Sequence, residues 1–261
     1  MERSEYIGGP DAAAICGVSP YRTALDVFKE KTGETPPVDL SENLAVQAGV
    51  YLEQFVLDEY LKQNSKTVIL RDKLVKHPAY NFIAGHPDAL TSDKIVVEIK
   101  TSLGKFADKM WAPGVPDYYA IQCYHYLEIT GADYCDLVVM LAGPEIKTYR
   151  IESDKKIQAA ILNKCVLFWD KLQKNIRPEP STLPEIKQEY RDDRTEIAAD
   201  SKCIKWIEEI KTARKYAEIG EQAKISLMNY MKNASELIHN GKKLATFREG
   251  KAGRRLNVVH T

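Results

Sequence analysis

Near residue 65 the hydrophobic rhythm of this chain changes from helical to strand-like, and few architectures accommodate such a change. Before it, SENLAVQAGVYLEQFVLDEYLKQN places Leu44, Ala48, Leu52, Phe55 and Leu57 or Tyr60 at roughly helical spacing. After it, TVIL, KLVKH, FIAG and KIVVEIK are short β-rich runs broken by Arg-Asp, Pro-Ala-Tyr-Asn and Thr-Ser-Asp, which reads as a meander. PDYYAIQCYHYLEIT is then helical, CDLVVMLAG and IKTYRIE are strands, and DKKIQAAILNKCVLFWDKLQ is a further helix. Helix, meander, helix, strand, strand, helix is an α/β order.

Shorter signals extend the pattern at both ends. Gly9-Pro10 through Gly17 reads as a short helix with proline in its first turn, and Thr23 caps another through Lys31. RPEPSTLPE reads as a proline-rich hinge. Beyond it, Ile204, Ile207, Ile210, Ala217, Leu227 and Met231 belong to a stripe on a helix from about Asp200 to Asn233. LATFREGKAGRRLNVV closes as a hairpin. The predicted organisation is a core over 1–176, a hinge over 177–199 and a helical and hairpin extension over 200–261.

No run of about 18 apolar residues exists, so no membrane span is expected. The start, MERSEYIGGP, lacks a basic segment followed by an apolar run, so no secretory signal is expected. Cys16, Cys123, Cys135, Cys165 and Cys203 are scattered and contain no C-x-x-C, which points to reduced thiols in a cytoplasm and away from a zinc ribbon. Net charge is zero but uneven. From Tyr190 onward the chain carries 15 Lys and Arg against 10 Asp and Glu, out of 37 of each sign in total. An acidic body with a basic tail suits a protein that gathers cations in one place and touches phosphates with another. Ordinary solvated charge explains this fact equally well.

Glu-Ile-Lys occurs four times, and context separates the copies. The one at Glu185 lies in the hinge and the one at Glu209 inside the terminal helix, where positions i and i+2 diverge; both read as surface charge. The copies at Glu98 and Glu145 lie in predicted strands, where i and i+2 share a face. In KIVVEIK, Ile95, Val97 and Ile99 form one face, and Val96, Glu98 and Lys100 the other. Asp88 begins a strand that turns at Thr91-Ser92-Asp93 and returns through Glu98, so the hairpin can bring two carboxylates to one divalent cation. Mg²⁺ favours such a set of a few hard oxygens completed by water and phosphate. The copy at Glu145, with Asp136 nine residues earlier, lacks the flanking pieces of the first.

Those pieces are specific in combination. Gly49 and Glu53 make a G-x-x-x-E on the long helix, the glycine permitting close helix-to-sheet approach and the glutamate offering another oxygen. Gln122 and Tyr126 lie four apart on one helical face. Gln122 can hold a lytic water or phosphate, and Tyr126 can bind a nucleic-acid backbone. His86, beside Asp88, is a candidate extra ligand. Tyr118, Tyr119 and Trp111 can stack on bases or pack the core.

With helical Glu53, the Asp88 hairpin, E-x-K and Q-x-x-x-Y in that order, the chain resembles a PD-(D/E)xK nuclease of the RecB-like branch. More narrowly it resembles the YqaJ viral recombinase group related to lambda exonuclease. The likeness rests on IGGPDAAAICGVSPYRTALDVFKEKTG, GVYLEQFVLDEY, KHPAYNFIAGHPDAL, VVEIKTS, YYAIQCYHYLEITG and FWDKLQ, covering roughly 3–175. It implies a restriction-endonuclease-like core, a twisted mixed sheet flanked by helices. Glu53, Asp88 and Glu98 would be metal acids for Mg²⁺ or Mn²⁺, with the Ile99 carbonyl a further ligand, Lys100 the catalytic lysine and Gln122 the remaining motif residue. It also implies 5′→3′ digestion of one strand from linear double-stranded DNA ends, a homo-oligomer, often a ring-shaped homotrimer, and a single-strand annealing partner of the RecT or Red-beta kind, in a phage or prophage setting.

This chain departs from the family pattern in four places. Pro10 stands where serine is usual, Gln54 where proline follows the helical glutamate, Ala89 in the usual P-D-G, and Tyr124 at the usual second glutamine. In lambda exonuclease that serine grips the 5′ phosphate with an arginine seven positions earlier; Arg3 keeps the spacing. In the tail, Lys242, Lys243, Arg248, Lys251, Arg254 and Arg255 crowd a hairpin able to track phosphates, or simply to be solvated. An endonuclease on the same core and a DNA-binding module without catalysis remain open alternatives.

Overall fold

The structure is a computed structural model describing residues 1–104, 107–141, 145–250 and 253–259. The chain divides into two compact units, Met1–Arg191 and Asp192–Thr261.

In the first unit, α1 (Gly9–Ile15), α2 (Ala24–Lys31) and α3 (Leu44–Asn64) precede the strands. Thr23 and Asp26 exchange hydrogen bonds in a capping box that starts α2, and Asn43 Oδ1 accepts from the Ala45 N–H at 3.0 Å to start α3. The meander resolves into β1 (Val68–Arg71), β2 (Val75–Lys76), β3 (Ala84–Gly85), β4 (Ala89–Thr91) and β5 (Val96–Ser102). There follow α4 (Ala107–Trp111), α5 (Asp117–Thr130), β6 (Tyr134–Leu141), β7 (Ile146–Glu152), α6 (Lys155–Gln173) and α7 (Leu183–Glu189).

Five strands form one mixed sheet in the order β1-β4-β5-β6-β7. β5 and β6 run parallel, with Glu98 opposite Leu137, and the other pairs are antiparallel. A parallel pair needs a long crossover, which α4 and α5 supply. β2 and β3 pair separately.

Helices cover both faces, as the alternation along β5 requires. Val97 and Ile99 pack with Val56, Leu57 and Tyr60 of α3. Val96 turns the other way, into the larger core with Cys123 and Leu127 of α5 and Phe168 of α6. Gly49 lets α3 approach β5: a Cβ there would lie 3.1 Å from Thr101 Oγ1.

The expected hinge over 177–199 is not uniformly a linker. Pro184 sits in the first turn of α7, where a missing N–H costs nothing. Glu189 pairs with Lys29, Arg177 with Glu34 and Glu189, and all belong to the first unit. Glu185, read from sequence as surface charge, is instead buried. It accepts from Thr23 Oγ1 and, at 2.8 Å, from the Ser181 N–H, and these bonds hold its carboxyl below the ordinary range against the opposing effect of burial.

The second unit contains α8 (Ser201–Met231) and an antiparallel sheet of β8 (Glu236–His239), β9 (Lys242–Gly250) and β10 (Gly253–Val258). The expected hairpin is present as β9 and β10; β8 extends it to three strands. Lys251 lies outside the described residues.

Candidate active site

The hairpin of β4 and β5 sets the geometry. Ala89 pairs with Val97 and Leu90 with Val96, which places Asp88 beside the peptide after Glu98. Asp88 Oδ2 accepts from the Ile99 N–H at 2.6 Å. Glu98 and Lys100, sharing the opposite face of β5, point toward α5. Lys100 Nζ lies 2.5 Å from Glu98 Oε1, and the same oxygen accepts from Gln122 Nε2 at 2.6 Å. Glu98 is 2% exposed, and its other oxygen, Oε2, is buried with no hydrogen-bond partner.

Burial is the main force on these groups. It pushes the Glu98 carboxyl up to about 8, with help from the Asp88 charge and against the pull of Lys100. Burial likewise raises Asp88, opposed by Lys100 and the Ile99 N–H. Lys100 behaves differently. Burial works against its charge, but the Glu98 and Asp88 carboxylates outweigh it and hold the ammonium above its ordinary range. Facing two acids, the lysine is the firmly charged member of the group. Its Nζ also lies 5.4 Å from the ring centre of Tyr119, which stacks on Trp111.

Glu53 reaches the site from α3, where it lines one pocket with Gly49, Ile99 and Lys100. Its carboxyl is raised by burial and by Asp88, and its Oε1 lies 4.0 Å from Arg71. Among the described residues no three His, Cys, Asp or Glu side chains converge closely enough to hold an ion by themselves. Asp88 is near enough to act electrostatically on both Glu98 and Glu53. A buried unpaired oxygen and carboxyls whose charged form burial disfavours make a donor set suited to a hard divalent cation.

Other expectations fare unevenly. Tyr126, expected on a nucleic-acid backbone, is 4% exposed and closed in between Gly9 and Gly85, where an added Cβ would lie 3.2 Å and 2.6 Å from its ring. Its hydroxyl instead accepts from Gln122 at 3.1 Å, which makes Tyr126 a support for Gln122. Gln122, expected on water or phosphate, is directed to Glu98. His86 Nδ1 faces the Tyr6 hydroxyl at 3.5 Å. Arg3 and Arg22 converge with Lys31 on buried Asp11, at 3.4, 3.1 and 3.0 Å. Asp136 and Glu145 do not form a second site: Asp136 is buried with Arg150 and Tyr60, and Glu145 pairs with Lys147.

In the tail, Arg254 donates to the carbonyls of Lys232, Ala234 and Phe247, so it braces its own unit and is not free for DNA. Lys243 and Arg248 both pair with Glu236, while Lys242 and Arg255 are exposed. Arg71, at the end of TVILR, was passed over in the sequence because nothing local marks an arginine closing an edge strand.

Residues 1–133 match the YqaJ-like viral recombinase domain. The chain belongs to that family. Within the YqaJ-like group it is 30% identical over 173 residues to the uncharacterized protein YqaJ of Bacillus subtilis (strain 168), covering 65% of this chain and 54% of that protein. The chain thus spans about half the length of that curated relative. An alkaline exonuclease (LHK-Exo) from Laribacter hongkongensis shares the fold with a TM-score of 0.57 at 22% identity, over 67% of this chain and 91% of that one. A phage related exonuclease from Haemophilus somnus 129PT gives 0.53 at 15% identity, over 66% and 95%. The YqaJ-like core is accordingly a mixed sheet flanked by helices, a fold shared with both of these proteins and the architecture its sequence led us to expect.

Proposed function

We propose that this chain is a Mg²⁺-dependent deoxyribonuclease, with Mn²⁺ able to substitute, that digests one strand of linear duplex DNA from its 5′ ends. The observation carrying the reading is the shared Glu98 carboxyl group: one oxygen held by Lys100 and Gln122, the other buried and unpaired, with Asp88 near enough to act on its charge. Family membership and a fold shared with two proteins described as exonucleases support it. Polarity, a homotrimeric assembly, a single-strand annealing partner and a phage or prophage origin in a bacterial cytoplasm are parts of the proposal that rest on the resemblance. Among the described residues no helix is long and apolar enough to cross a membrane.

Asp88, Glu98 and the Ile99 carbonyl would hold the cation, with Glu53 approaching from α3. When bound, Mg²⁺ supplies Lewis-acid charge at the phosphate and acidifies water. The rest is the work of the chain. Lys100, kept charged by two carboxylates, meets the negative charge that develops on the phosphoryl oxygens, a preorganised role whose loss costs about 10²–10³-fold in rate. Gln122, braced by Tyr126, fixes the Glu98 rotamer, so that Oε2 remains directed at the site. Gly49 sets the depth at which α3 presents Glu53.

Linear duplex labelled at one 3′ end, with 5′ ends phosphorylated or not, tests the reading beside a closed circle, with and without Mg²⁺. Mg²⁺-dependent loss of the linear form that leaves long 3′-labelled strands and spares the circle is the expected result. Immediate release of labelled nucleotide contradicts the polarity, and nicking of the circle replaces the exonuclease with an endonuclease.

A further inference from the structure

Arg71 ends β1 in register with Ala89, so it is the cross-strand neighbour of the residue that follows Asp88. Two consecutive side chains of α3 reach it. Gln54 Oε1 accepts from one guanidinium nitrogen, and Glu53 Oε1 lies 4.0 Å from another. Gln54 is fixed in turn, its Nε2 donating to Asp58 Oδ1 one helical turn along. The Arg71 side chain is nevertheless 41% exposed.

This arrangement orients a cation without neutralising it. Gln54 is uncharged, and a carboxylate at 4.0 Å in a half-exposed setting compensates little. A guanidinium has more N–H donors than Gln54 can occupy, and its planar fork matches two phosphate oxygens at once. The position also answers a need. Glu53 and Asp88 bring carboxylates to the rim, and the Lys100 ammonium is engaged with buried Glu98. A polyanionic strand laid across such a rim requires positive charge on the α3 side as well.

We infer that Arg71 grips a backbone phosphate of the DNA strand entering the site, with Gln54 and Asp58 holding its fork in place. The inference rests on the nuclease reading. It adds a substrate contact on the side of the site opposite α5, and it gives Gln54 a purpose where a proline could hold nothing.

The test is equilibrium binding of the full chain to a fluorescein-labelled linear duplex in EDTA, over a salt series. Arg71→Ala is expected to weaken binding about tenfold or more and to reduce the salt slope by about one. Arg71→Lys keeps the charge and the slope but loses several-fold in affinity, because an ammonium cannot replace the fork. Gln54→Ala falls between the unaltered chain and Arg71→Ala, and unfolding midpoints confirm that each variant is folded. Unchanged binding by Arg71→Ala overturns the inference while leaving the nuclease reading in place; if its Mg²⁺ requirement then shifts, Arg71 only positions Glu53. Failure of the unaltered chain to bind DNA overturns both.

Discussion

Gln122 on α5 donates to Glu98 on β5 across 2.6 Å, tying the crossover helix to the central strand. The bond leaves Glu98 with one saturated and one unpaired oxygen, and the behaviour of the site follows from that asymmetry.

Metal-free stability should fall as pH rises. Glu98 ionises near its ordinary 4.5 when unfolded and at about 8 when folded, so in that window the folded chain holds a proton that the unfolded chain has lost. Its stabilising contribution is complete below about 4.5 and disappears as pH passes through about 8. Asp88 and Glu53, both raised, act in the same direction. Thermal midpoints in EDTA from pH 5 to 9 should therefore decline, and Glu98→Gln should flatten the decline. A midpoint that rises across this window opposes the assignment.

Gly9→Ala should disturb the site from a distance. A Cβ at Gly9 would lie 2.7 Å from Gln122 Cγ and 3.2 Å from the Tyr126 ring, so α1 or Gln122 must shift. Overpacking of this kind costs about 1–3 kcal/mol. Denaturant unfolding should show a loss in that range, with a lower cleavage rate; equal stability would mean that α1 yields freely.

Tyr126→Phe separates support from substrate contact. Removing the hydroxyl deprives Gln122 of one partner, at about 0.5–1.5 kcal/mol of stability. DNA affinity measured without metal should remain within about twofold, well short of the effect of losing a phosphate contact. A large affinity loss would restore the tyrosine to the DNA interface.

Arg254 and Arg255 should behave as opposites although they are neighbours. Arg254 ties β10 to the end of α8, to the turn that follows it and to β9 through three backbone carbonyls, so Arg254→Ala should speed amide exchange throughout β8–β10. Arg255 is exposed, and Arg255→Ala should leave exchange unchanged while lowering the salt dependence of DNA binding. The reverse pattern would reassign both residues.

Much of this was legible in residue order. The alternation of Val96, Val97, Glu98, Ile99 and Lys100 specified which residues share a face, and strand geometry then forced Glu98 beside Lys100. Gly49 was readable because a small residue one turn before Glu53 on a helix over a sheet has few other uses. Contacts among distant segments were not. Glu185 folds back on Thr23 across a sequence separation of 162, and a proline-rich stretch looks the same whether it starts a helix or links two units. Tyr126 was misplaced for a similar reason: its spacing from Gln122 gave a shared helical face, but the two glycines that seal it in come from other elements. Glu53 was predicted as one of three metal acids; the structure places it in one pocket with Ile99 and Lys100, and its Oε1 lies 4.0 Å from Arg71, a neighbour that the sequence did not suggest.

Single-turnover digestion of linear duplex at saturating Mg²⁺, comparing the unaltered chain with Lys100→Ala, addresses the Glu98–Lys100 centre directly. The expected outcome is a fall of about 10²–10³-fold in rate with an unfolding profile that still shows a folded core. Cleavage by Lys100→Ala at the unaltered rate would contradict it, because no ammonium would then be required where the structure holds one against Glu98 and within the field of Asp88.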